Sequence, residues 1–177
     1  IMNNTASGAM ANQGGGGVFN VGGTVEIRNQ TLISGNVTDG LAGSGGGILN
    51  DMGGNLTVMN STISGNTSVR AGGGIEDNSR AGTTFTLVGV TLDGNITSST
   101  PGNGGGVHIT GDGDLMISGG AVTNNTAAAE GGGLWNGAGL MTISDVMIDG
   151  NVASGNESDQ GGGGIYNGDG ASLTLID

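Results

Sequence analysis

A run of glycines followed by an aliphatic residue recurs six times along this chain, the aliphatics being Val18, Ile48, Ile75, Val107, Leu134 and Ile165. From Val18 to Ile165 is 147 residues in five steps, a mean of 29.4. A second marker, an aliphatic three residues before an asparagine, recurs at Asn4, Asn36, Asn66, Asn95, Asn125 and Asn151, again 147 residues in five steps. Two markers with one period define a repeat, and a repeat of this length implies one supersecondary unit stacked on its neighbours.

Between the markers lies a short alternating run: Val25/Ile27, Leu56/Val58, Phe85/Leu87, Leu115/Ile117, Met141/Ile143 and Leu173/Leu175. Alternation with period two marks a strand with one buried face. Each repeat therefore reads as three short strands: one after the glycines, one in the alternating run, and one leading to the asparagine. Strands this short bury little alone, but stacked coils place equivalent residues about 4.8 Å apart and fuse their apolar faces. The predicted fold is all-β, a right-handed parallel β-helix of about six coils, forming a single domain over residues 1–177.

Glycine is positional here. Twenty of the 43 glycines lie in the six runs, where a corner repeated in every coil needs special backbone angles and close chain approach. A collagen-like reading fails, because there is one proline and no three-residue period. The asparagines suit a second corner, where stacked amides bond backbone and each other. Repeat length varies mainly after them: residues 37–44, 96–103 and 152–160 are long connections, whereas 67–71 and 126–130 are short.

The GGG[ILV] and [ILV]xxN pairing resembles the GGAI/FxxN repeats of chlamydial polymorphic outer-membrane proteins. It is still more similar to the GGGIYN…LTI…STISGN repeats of large bacterial cell-surface proteins with parallel β-helix passengers. Residues 162–167, followed by Leu173 and Leu175, and the stretch LTVMNSTISGN at 56–66 carry the likeness. Against the chlamydial form, glycine replaces alanine and aliphatics replace phenylalanine. The resemblance implies an extracellular or cell-surface setting and a role in display, adhesion or fibre-building.

The net charge of −12, with only Arg28, Arg70 and Arg80 as fixed cations, argues against nucleic acid and anionic lipid as partners. No apolar run approaches a membrane span, so no membrane insertion is expected. The absence of cysteine excludes disulfides and thiolate metal sites. No cofactor is expected.

Parallel β-helices also carry polysaccharide lyases and hydrolases, whose sites need clustered carboxylates and a basic partner. The 15 acids scatter and there is no lysine, so an enzyme is not expected. Asp112 and Asp114 offer hard oxygens at alternate positions and are weak Ca²⁺ candidates, set against a solvated acidic turn. His108 has no serine or cysteine at triad-like spacing.

The residues following the strand-one aliphatics are Phe19, Leu49, Glu76, His108, Trp135 and Tyr166. Alternation turns them outward in one column, with Glu76 beside His108. Phe19, Trp135, Tyr166, His108 and Glu76 are accordingly candidates for ligand or lateral contact. Gripping a glycan on a cell surface and plain ladder packing both remain open for the aromatics. Of the Asn-x-Ser/Thr sequences, Asn156 lies in a long loop and is the glycan candidate; the asparagine-ladder positions should be buried.

The chain opens on Ile1 at the third strand and stops after the second, with no polar or helical cap. That reads as either a window of a longer solenoid or a subunit. The favoured expectation is self-association head to tail, as a structural fibre segment, with an adhesin passenger as the alternative.

Overall fold

The computed structural model describes residues 1–99 and 101–177. Those residues form strands and turns without a helix, so none is long and apolar enough to cross a membrane. All the strand pairs are parallel and join each coil to the next, giving a β-solenoid of about six turns.

Three sheets run along the solenoid. The first contains Val18–Val21, Ile48–Asp51, Ile75–Asn78, Val107–Ile109, Leu134–Asn136 and Ile165–Asn167. Its register pairs Val18 with Ile48, then Ile75, Val107, Leu134 and Ile165, the column expected from the glycine marker. The second sheet stacks Val25, Leu56, Phe85, Leu115, Met141 and Leu173 in the same way. In the middle coils these residues are fully buried and belong to one continuous core. Each such side chain contributes about 1.5–3 kcal/mol through burial. Val18 and Val25 at one end, and Ile165 and Leu173 at the other, are only partly covered.

The third face differs from the one expected. The strand that leads to each asparagine does not make a sheet of its own. Leu32–Ser34, Thr62–Ser64 and Met147–Asp149 extend the second sheet, and in two coils the chain runs through without a break, as Thr84–Asp93 and Asp114–Thr123. A residue of positive φ (Asn60, Gly89 or Asp145) takes the place of a full corner there, so the strand bends without leaving the sheet. The third sheet instead comes from two-residue strands just after the asparagines: Thr5–Ala6, Val37–Thr38, Thr67–Ser68, Ile96–Thr97, Thr126–Ala127 and Val152–Ala153.

The glycine runs turn the chain from the third sheet into the first. Gly45 sits at φ +65, a region that L side chains avoid. A Cβ on Gly46 would lie 2.4 Å from the Gly73 carbonyl of the next coil and 2.5 Å from the Thr67 carbonyl. Any side chain there would push two coils apart.

At the opposite corner the predicted asparagine ladder is complete. Asn36 accepts from both the backbone N–H and the Nδ2 of Asn4, at 3.0 and 2.9 Å. The same double bond joins Asn36 to Asn66, Asn66 to Asn95, Asn95 to Asn125 and Asn125 to Asn151. Each rung from Asn36 to Asn151 sends its second Nδ2 hydrogen back to a carbonyl of the preceding coil. Buried amides without such partners would be strongly destabilising.

Candidate functional site

The outward column of the first sheet carries most of the chemistry. Its register pairs Phe19 with Leu49, Glu76, His108, Trp135 and Tyr166 in turn. Phe19 is exposed, and Trp135 and Tyr166 are half-buried. Leu49, Glu76 and His108 are buried instead of facing solvent, which corrects the expected open face. Residues from the connection after the asparagine corner reach back over the column. Arg70 Nη2 donates to Glu76 Oε1 at 3.0 Å, while its Nε holds Ser44 Oγ of the preceding coil at 2.8 Å.

Glu76 is the hub of this cluster. Thr110 Oγ1 donates to Oε1 at 2.6 Å, and His108 Nδ1 lies 2.7 Å from Oε2. Oε2 is buried, and the histidine is the polar group that approaches it. Burial alone would push the Glu76 carboxyl up; the His108 contact, the Arg70 charge and the Thr110 hydroxyl outweigh it and hold the group below its ordinary value.

Thr110 Oγ1 also lies 3.0 Å from His108 Nδ1. Hydroxyl and carboxylate thus meet the same ring nitrogen. A nucleophile–base–acid relay places them on opposite nitrogens, so this geometry builds a closed polar knot around a charge.

The rings continue the column. His108 and Trp135 stack at 4.1 Å and 14°, and Trp135 and Tyr166 at 5.7 Å and 2°. Both faces of the indole are covered, and its Nε1 donates to Glu130 Oε2 at 2.8 Å. Trp135 therefore offers its rim to solvent, whereas a ring that grips a sugar needs a bare face. Burial and the nearby Glu130, Asp159 and Asp169 charges push the Tyr166 phenol up.

The remaining sequence candidates are dispersed. Asp112 and Asp114 are exposed, and Asp114 Oδ1 accepts from the Leu140 backbone N–H at 3.0 Å, a structural bond between coils. Among the described residues no group of three or more His, Cys, Asp or Glu side chains could hold a metal ion. Asn156 is exposed; of the outer ladder, Asn36, Asn66, Asn95 and Asn125 are buried as expected, whereas Asn4 is exposed and Asn151 half-buried because each lies in a coil covered on one side.

Sequence reasoning missed a second ladder. Inside the first corner, Asn20 donates to Asn50 Oδ1 at 2.7 Å and Asn50 to Asp77 Oδ1 at 2.6 Å. Ile109 occupies the next rung, and Asn136 then donates to Asn167 Oδ1 at 2.9 Å. The signal was the residue two after each strand-one aliphatic, which reads Asn, Asn, Asp, Ile, Asn, Asn. Burial pushes the Asp77 carboxyl up to about 6, against the pull of its Ser79 and Asn50 bonds. Arg70, Thr110 and Glu130 were missed too, because their roles depend on where the connections fold. Comparison with family models, with curated proteins and with solved structures gives no match.

Proposed function

We propose that this chain is an extracellular structural β-solenoid, a segment of a surface fibre whose coils continue head to tail from copy to copy, and that it catalyses no reaction. The observation that supports the reading is that every coil is joined to the next through parallel strand pairing and one unbroken ladder of buried asparagines, a stack of one repeating unit. The polar residues of the outward column are spent on each other, in keeping with a scaffold.

The test is sedimentation velocity of residues 1–177 across concentration and salt. Growth into longer species, promoted by salt that screens the −12 charge, is the expected result. A monomer at every concentration would sink the fibre reading. Glycan binding abolished by Trp135→Ala or Tyr166→Ala, without growth, would favour the adhesin instead.

A further inference from the structure

We infer that a groove on the outer face of the second sheet binds an arginine side chain of a basic polypeptide, with Asp114 receiving the guanidinium. The groove lies across the third, fourth and fifth coils, each of which has a coil on both sides. The inference goes beyond the fibre reading and is independent of it.

The groove has a volume of about 240 Å³. It runs between Thr84 and Thr86 of the third coil, Asp114 and Met116 of the fourth, and Leu140 and Thr142 of the fifth. These are the outward members of alternating strands, whose inward members Phe85, Leu115 and Met141 are buried in the core. The register sets Thr84 beside Asp114, and Thr86 beside Met116 and then Thr142, with about 4.8 Å between coils. The connection before the second strand is five residues in the third coil, 79–83, against four and three in the next two. Thr83, at the end of that longer connection, forms the rim.

The chemistry of the lining selects the occupant. Among the described residues Asp114 is the one charged side chain that lines the groove. Its Oδ1 accepts the Leu140 N–H at 3.0 Å, and its Oδ2 takes no bond within the chain among those residues. Thr83 Oγ1 is spent on the Arg80 carbonyl at 2.7 Å, whereas the hydroxyls of Thr84, Thr86 and Thr142 are not engaged there. Met116 and Leu140, 55% and 39% exposed, supply apolar flanks. A carboxylate oxygen among hydroxyl acceptors, bordered by aliphatic surface, matches a planar cationic head with several N–H donors on an apolar stem. An anionic ligand would face Asp114 with no cation in the lining to offset it. A sugar would find no ring to stack on, because Phe85 is buried beneath the sheet. The net charge of −12 draws a basic partner and repels a second copy.

The test is a titration of residues 1–177 carrying ¹³C-methyl methionine, with the Met116 signal identified among the seven methionines by Met116→Leu. The probes are a blocked hexapeptide of alternating arginine and serine, the same peptide with neutral citrulline for arginine, and methyl glucoside. The arginine peptide should shift Met116 saturably, and the other two should not. Asp114→Asn keeps an acceptor for the Leu140 N–H, so it should leave the unfolding temperature unchanged and weaken binding about tenfold or more. Glu157→Gln, which removes an exposed acid outside the groove, should leave binding unaltered. Equal weakening by both variants, or all methionines shifting together, would reduce the effect to diffuse attraction and overturn the site. A response to methyl glucoside or citrulline peptide equal to that of the arginine peptide would overturn the cationic occupant. Arg80 has no ion pair among the described residues, so a Met116 shift with protein concentration alone, abolished by Arg80→Ala, would make the occupant a second copy and overturn the proposal. A Met116 signal that none of the probes moves would remove the site altogether.

Discussion

The two asparagine ladders are built from the same side chain and the same direction of donation, yet one runs unbroken and the other is interrupted. In the outer ladder every interior rung both receives and gives. In the inner ladder Ile109 neither donates nor accepts through its side chain, and its neighbours differ accordingly. Asp77, below the break, needs no forward donor and is a carboxylate satisfied by Asn50 and Ser79. Asn136, above it, is left with a buried Oδ1 that has no partner. A ladder tolerates an acid only where the next coil asks for nothing.

The largest expected effect comes from breaking the intact ladder. Asn95→Leu strands the two donors of Asn66 and takes the amide donor from the Ile63 carbonyl, while Asn125 Oδ1 keeps the backbone N–H of residue 95. At roughly 1–3 kcal/mol for each of these three orphaned groups, the loss should be about 3–9 kcal/mol, read by urea unfolding. A loss below that of an exposed substitution would mean that the ladder contributes little.

Next is Asp77→Asn at the break, which should stabilise. The folded carboxyl titrates at about 6, above its ordinary value of 3.8. Its contribution is fully present below the unfolded value and is lost as pH rises through about 6. That loss is on the order of 3 kcal/mol. The variant should therefore exceed the parent near neutral pH and match it in acid below the unfolded value; an equal gain at both would exclude ionisation as the cause.

Outside the ladders, Arg70→Met removes one of the charges that hold the buried Glu76 ionised and should cost about 2–3 kcal/mol at neutral pH. Glu76 is shifted down, so its stabilisation is present above the unfolded value and lost as pH falls through the folded one. Stability of Arg70→Met should approach that of the parent in acid; a deficit undiminished there would mean packing, not charge. The smallest effect is a coupling. Ile109→Asn restores an acceptor at the missing rung, which an amide at position 77 can serve as donor and the native carboxylate cannot. A double-mutant cycle of Asp77→Asn with Ile109→Asn should therefore show about 1–2 kcal/mol of favourable interaction. Strict additivity would deny the ladder logic.

How far these features were legible follows from what each depends on. The columns through Ile48 and Leu56 were readable because burial there follows the strand period and the repeat alone. The Asn36–Asn66 ladder was readable for the same reason. That the strand before Asn95 shares a sheet with the one before it was hidden, since a bend at one positive-φ residue such as Gly89 looks like a corner in sequence. Glu76 and His108 were correctly placed side by side, but their burial depends on Arg70 and its connection folding back, which no periodicity encodes.

Whether copies extend end to end into a rod can be seen by electron microscopy of assembled residues 1–177. Six coils at about 4.8 Å each predict rods one solenoid wide with a subunit repeat of about 29 Å along the axis. Particles that stay single, or that associate side by side into sheets without that axial repeat, would contradict end-to-end stacking.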